Sequence, residues 1–315
     1  MKRLNFLFLG GAKRVVMGRM LLQACKERGI EATVNGYELT RQVPLAEVGH
    51  IEEGLRWSDP AIFDDINRVV DNLDINVIIP FVDPAVGIAA EVGRRSEGVV
   101  FVPCGDRTTC ERMFDKVLAA ELFERCNLPI PPTYRPGDSV GCLIAKPRFG
   151  SASNGIKAID TIQQLYEVQS KGDRYLIQKR IDHREEITVD CYASVSTGEV
   201  YACSPRTRLE VSGGEAVRTI TIDDSEAISL ARRTIAAAKL CGAITVQLIR
   251  NLDDNSLMVM EVNPRLGGGA VCSVHAGADI PGLIVDEALG RPLSESVAKP
   301  GVLTVRYLAD VVFNV

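Results

Sequence analysis

The chain has 315 residues with 36 basic against 41 acidic side chains, a net charge of −5, and 46% hydrophobic and 24% charged residues; no run of Lys or Arg marks a track for nucleic acid, so a polyanionic polymer partner is not expected. No apolar stretch approaches a membrane span, and the Leu7-Phe8-Leu9 run lacks the length and the small-residue cleavage site of a secretion signal. Nine singly scattered cysteines without a CxxC pair, and three distant histidines (His50, His183, His275), predict reduced thiols in a cytoplasmic protein and no histidine-based zinc site.

The first 105 residues alternate between strand and helix patterns. Residues 4–9 form an apolar run that ends in Gly10-Gly11, and a helical pattern covers 15–28 and closes at Gly29. Further apolar runs at 30–34, 76–81 and 99–102 predict strands of a parallel sheet covered on both faces. Residues 107–126 read as one long helix, followed by a stiff connector with Pro129, Pro131, Pro132 and Pro136. Strands are then predicted at 142–146, 175–178, 187–193 and 200–204, and helices at 161–169 and 224–241. Two last strands, 243–250 and 257–263, flank an Asp253-Asp254-Asn255 turn. The pattern is α/β followed by antiparallel α+β.

The densest chemistry lies in that last hairpin. Glu261 and Asn263 differ by two and share a face, and Gln247 can pair across the turn onto the same face. Val259 and Val262 have opposite parity, which predicts a strand buried on both sides. Three oxygen-bearing side chains together suit Mg²⁺, which completes its shell with phosphate oxygens, although a polar solvent face gives the same pattern. Glu261-Val262-Asn263-Pro264-Arg265 adds a guanidinium suited to phosphate or carboxylate, and Gly267-Gly268-Gly269 lets backbone approach a ligand closely. A second constellation runs from Lys146 through Gly150, Ser151 and Ser153 to Gly155, a small-residue loop whose amides can wrap phosphate; it is not a P-loop, because the Lys comes first. Between the two, Gln178-Lys179-Arg180-Ile181 is a strand turning polar, and Glu186, Thr188 and Asp190 share one face of the next strand.

In this order the segments resemble the ATP-grasp superfamily, most closely the proteins similar to the large subunit of carbamoyl-phosphate synthase. The resemblance covers nearly the whole chain and is most specific at Gln247 and Glu261-x-Asn-Pro-Arg. It implies an ATP-grasp fold behind an N-terminal Rossmann-like pre-ATP-grasp domain, divided as 1–106 and 107–315, the latter with a small lid lobe at about 133–180 and a larger metal-binding lobe at about 181–315. It further implies ATP and Mg²⁺, or Mn²⁺ in its place. Gln247, Glu261 and Asn263 would hold the metal. Lys116, Lys146, Ser151, Ser153 and Gln178 would bind nucleotide, with the backbone of Lys179, Arg180 and Ile181 at adenine and Glu186 at ribose. Arg265 would act on the transferring phosphoryl group. Arg206 and Arg208, in a run similar to one in small stand-alone ligases, would bind the acceptor.

The synthase has two such halves and a glutaminase partner; one half alone is not expected to make carbamoyl phosphate. The implied reaction is ATP-dependent activation of a small-molecule carboxylate for attack by an amine, in a monomer or a homodimer. A carboxylate kinase, a carboxylase and a non-catalytic ATP-binding module are the alternatives. A dinucleotide oxidoreductase fits poorly, because Gly10-Gly11-Ala12-Lys13-Arg14-Val15 is not G-x-G-x-x-G.

Overall fold

The structure is a computed structural model that describes residues 3–150 and 154–313. The chain opens with β1 (Arg3–Leu9), α1 (Val15–Glu27), β2 (Glu31–Glu38), β3 (His50–Glu53), α2 (Ile62–Asn72), β4 (Val77–Pro80) and α3 (Asp83–Arg95). The four strands form a parallel sheet in the order β3-β2-β1-β4. β1 is apolar throughout because it is covered on both faces: Phe6 and Phe8 pack with Met17 and Leu21 of α1, and Leu7 and Leu9 pack with Ile66 and Val86 of α2 and α3. β2 runs four residues beyond its expected end; buried Asn35 stays within it by donating to the Phe6 carbonyl at 3.1 Å. The strand expected at 99–102 reduces to one bridge between Phe101 and Val77.

The single helix expected over 107–126 is two, α4 (Arg107–Phe114) and α5 (Lys116–Arg125). Asp115 breaks it. Its backbone is extended, and its carboxylate caps α5 by accepting from the Val117 and Leu118 amides, a bonding pattern that a helix interior cannot offer. Arg148 binds the same carboxylate at 2.7 Å.

A small antiparallel sheet follows, with β5 (Leu143–Pro147), β6 (Lys157–Ile159), α6 (Ile162–Gln169) and β7 (Tyr175–Lys179), in the order β6-β5-β7. Thr161 and Gln164 start α6 with a reciprocal capping box. The rest of the chain builds a six-stranded antiparallel sheet from β8 (Arg184–Ala193), β9 (Val200–Ser212), β10 (Glu215–Thr221), α7 (Ser225–Ala238), β11 (Gly242–Asn251), β12 (Leu257–Asn263), α8 (Ala270–His275), α9 (Ile280–Ala288) and β13 (Leu303–Val305). Its order is β12-β11-β8-β9-β10-β13. β9 extends to Ser212, past its expected end, because a Gly213-Gly214 turn, both residues at positive φ, folds β10 back along it. α7 stops short of its expected end where Lys239 turns left-handed.

One sheet face packs on α5 and α7. α9 packs on α1 in a cluster that joins Met17 and Leu21 to Ile280 and Ile284, and Arg28 pins this contact through Asp279 and Asp286, both at 2.9 Å. Among the described residues no helix is long and apolar enough to cross a membrane.

Candidate active-site cleft

A cleft of about 450 Å³ lies where the three sheets face one another. The end of β4 brings Phe81 and Asp83, β5 brings Ile144 and Lys146, and β8, β11 and β12 form the floor.

The register of the last hairpin decides what faces the cleft. Gln247 is opposite Glu261, and Thr245 is opposite Asn263. The register then shifts, so that Leu248 faces Val259 and Met260 is the extra residue of a β-bulge. This overturns the expectation of a strand buried on both sides. The bulge puts Val259 and Val262 into the same core, with Val246 and Leu248, and leaves Met260, Glu261 and Asn263 in the cleft wall with Gln247. One carboxylate and two amides form a hard, weakly charged oxygen set. Among the described residues no group of three or more His, Cys, Asp or Glu is placed to hold a metal by itself. The set therefore fits a hard divalent ion that brings phosphate oxygens with it.

Lys146 is buried behind this hairpin, and its ammonium donates to Gln178 Oε1 at 3.0 Å. The Gln178 amide group in turn donates to the Pro131 carbonyl at 3.0 Å, so this side chain, expected to contact nucleotide, is committed to orienting Lys146. Burial drops the Lys146 pKa to about 8, opposed by the charge of Glu261 and reinforced by Lys116 and Arg184. Lys116 caps the loop by donating to the Gly150 carbonyl at 2.6 Å. Ser151 and Ser153 lie outside the described residues. At the expected hinge the Lys179 amide donates to Pro132 and the Arg180 amide to Cys142, while the Arg180 side chain pairs with Asp160 and Asp182. The Lys179 amide thus ties β7 to the connector, and Arg180 ties the end of β7 to Cys142, Asp160 and Asp182. Ile181 instead joins Ile249, Met258 and Met260 in an apolar patch, and Ile144, Ile181, Ile249 and Met260 line the cleft. Ile144, Ile249 and Met260 escaped the sequence reading because they look like ordinary strand residues.

A sequence profile described as "ATP-grasp in the biosynthetic pathway with Ter operon" matches residues 173–311. The structure superposes on N5-carboxyaminoimidazole synthetase from Staphylococcus aureus, complexed with ADP, with a TM-score of 0.73 and 17% identity, over 95% of this chain and 81% of that one. The chain has the ATP-grasp fold. It is likewise similar to biotin carboxylase from Campylobacter jejuni (TM-score 0.72, 17% identity, 92% of this chain and 72% of that one). A third similar structure is the L-amino acid ligase from Bacillus licheniformis (TM-score 0.70, 17% identity, 93% and 75%).

The arginines of this ATP-grasp cleft are all engaged by carboxylates of the chain. Arg265 reaches Asp83, the first residue of α3, with Nε 2.6 Å from Oδ1. Sequence reading missed Asp83, since nothing at that position signals a partner so far along the chain. Arg208 pairs with Glu186, which also pairs with Arg184 at 3.2 Å; the carboxylate expected at ribose is therefore held between two guanidiniums. Arg206, expected to bind the acceptor, is buried against Asp190, with Nε 2.7 Å from Oδ2. Ser273 Oγ donates to the same oxygen at 2.7 Å. Arg14 and Arg306, neither singled out in the sequence, share the carboxylate of Glu215.

Proposed function

We propose that this chain is a Mg²⁺-dependent ATP ligase that joins a carboxylate to an amine, with release of ADP and phosphate. The observation that carries this reading is the Gln247–Glu261–Asn263 face, with Arg265 beside it and the buried ammonium of Lys146 behind it, all at one cleft. In this reading Ile144, Ile181, Ile249 and Met260 clamp the adenine, and Lys146 and the loop after it hold phosphate oxygens. Gln247, Glu261 and Asn263 would hold the metal, which when bound neutralises charge on the phosphates. Arg265, steadied by Asp83, meets the phosphoryl group as it moves to the substrate carboxylate. Residues 1–106 serve as the pre-ATP-grasp domain and about 133–180 as the lid. The similar structures fit this scheme: one was solved with ADP, one is a biotin carboxylase and one is an L-amino acid ligase. The nine cysteines are free, as suits a reducing cytoplasm.

The test is calorimetry with a non-hydrolysable ATP analogue, followed by an ADP-release screen over small carboxylic acids with and without amines. Mg²⁺-dependent binding and amine-dependent ADP release are expected. ADP release that ignores every amine would reassign the chain as a carboxylate kinase, and absence of nucleotide binding would end the proposal.

A further inference from the structure

The Gly267–Gly269 loop is pressed from both sides by arginines. A Cβ on Gly269 would stand 2.6 Å from Arg206 Nη1, and one on Gly268 would stand 2.8 Å from Arg14 Nη1 and 3.1 Å from Arg306 Nη2. On the Gly268 side the two guanidiniums converge on one carboxylate. Arg14 Nη2 is 3.0 Å from Glu215 Oε1, and Arg306 Nη1 is 2.5 Å from Oε2. Arg306 also donates to the Gly268 carbonyl. The arginines come from opposite ends of the chain: Arg14 follows the turn after β1, and Arg306 follows β13, with its amide bound to the Val217 carbonyl. Arg14, Glu215 and Gly268 line the same cleft as the metal hairpin.

Apart from Arg180, which pairs with Asp160 and Asp182, the cleft arginines and Arg306 are neutralised by four carboxylates, which differ in how easily they can leave. Asp190 is fully buried with a buried partner and further hydrogen bonds, so it belongs to the framework. The side chains of Asp83 and Glu186 are 21% and 31% exposed. Glu215 is the most exposed of these four at 39%, whereas its partners Arg14 and Arg306 are at 16% and 27%. It also sits directly after the Gly213-Gly214 turn, where a Cβ on Gly213 would meet nothing within 4 Å. A carboxylate next to a two-glycine turn therefore occupies a more deeply set pair of guanidiniums. Were it to swing out, two positive charges would face one vacant position, a geometry matched by a ligand carboxylate and poorly by a neutral group.

We propose that Arg14 and Arg306 form the subsite for a second, unreacting carboxylate of the substrate, and that Glu215 holds this subsite until the ligand displaces it. The inference rests on the ligase reading above and deepens it. The substrate class is a small molecule with one group at the Arg265 end of the Gly loop and a free carboxylate at the Arg14 end, an amino acid or a dicarboxylic acid. Arg206, already neutralised by Asp190, is thereby relieved of the acceptor-binding role.

The test titrates the full chain without nucleotide, using L-alanine and succinate as separate probes, in wild type, Glu215→Gln, Arg14→Gln/Glu215→Gln and Arg306→Gln/Glu215→Gln. Removing an internal competitor of millimolar or higher effective concentration should tighten one of the probes about tenfold in Glu215→Gln, and both double variants should lose the gain. The probe that tightens tells an amino acid from a dicarboxylate. If Glu215→Gln unfolds, Glu215→Asp, which withdraws the carboxylate by one methylene, is read the same way. No tightening of either probe overturns the subsite, as does a gain that survives loss of both arginines in turn. Affinity for the Mg²⁺-bound ATP analogue, measured in parallel, should be unchanged in Glu215→Gln; its absence in wild type would sink the ligase reading and leave the carboxylate result legible by itself.

Discussion

Arg206 and Asp190 form a two-pronged pair inside the large sheet, Nε to Oδ2 at 2.7 Å and Nη2 to Oδ1 at 3.3 Å, with both side chains shut off from solvent. A buried ion pair is weak evidence of net stabilisation, but removing one partner strands the other charge in the core. Arg206→Ala should therefore destabilise the fold by about 3–5 kcal/mol, seen as a lower urea midpoint. Arg208→Ala removes a partly buried pair but leaves Glu186 its second partner Arg184, and should cost about 1 kcal/mol or less. Equal losses in the two variants would mean that the buried pair is not the framework element it is taken for.

The parts of the site that were legible in the sequence are those whose members are close in the chain or lie on paired strands. Glu261, Asn263 and Arg265 lie within five residues, and the hairpin brings Gln247 opposite Glu261 without any long-range folding. The bulge at Met260 was not legible, because parity counting assumes an unbroken alternation. Asp115 looked like an interior residue of a long helix; the Arg148 that binds its carboxylate arrives from the end of β5. The pairing of Asp83 with Arg265, and of Glu215 with Arg14 and Arg306, was not legible, since each arginine is brought to its carboxylate by the tertiary fold.

Glu261 is the sole carboxylate of the oxygen set and so carries most of its charge. Glu261→Gln keeps the shape of the hairpin and removes that charge. Turnover should fall about a hundredfold or more, with the thermal unfolding midpoint little changed. Calorimetry should show nucleotide binding that no longer responds to Mg²⁺. A variant whose affinity still rises with Mg²⁺ as in wild type would move the metal elsewhere.

Gly269 carries no positive-φ requirement, so a side chain there is resisted only by what it touches. A Cβ would lie 2.6–2.8 Å from the Arg206 guanidinium, which cannot yield because Asp190 holds it. Gly269→Ala should cost about 1–3 kcal/mol as overpacking, measured by denaturant unfolding. In the background of Arg206→Met, whose flexible thioether can give way, the cost should shrink. If it stays the same, the strain comes from somewhere other than this contact.

Lys146 makes ligand binding and stability respond to pH in opposite senses. Burial first of all lowers its pKa from 10.5 to about 8, so above pH 8 the folded protein holds fewer protons there than the unfolded chain. Stability of the nucleotide-free protein should then rise with pH between about 8 and 10.5, by at most about 1.4 kcal/mol per unit from this group, and the slope should vanish in Lys146→Met. Below pH 8 the buried charge is present and its desolvation cost is borne in full. Phosphate, by contrast, is held by the ammonium form alone. Affinity for the ATP analogue should therefore be flat up to about pH 8 and fall by up to about tenfold per unit above it, while Lys146→Met binds weakly at every pH. Calorimetric titrations from pH 7 to about pH 9.5 in buffers of matched ionic strength measure the affinity, and denaturant unfolding over the same range measures the stability. A wild-type affinity that stays level across that range would show that Lys146 does not carry the phosphate charge.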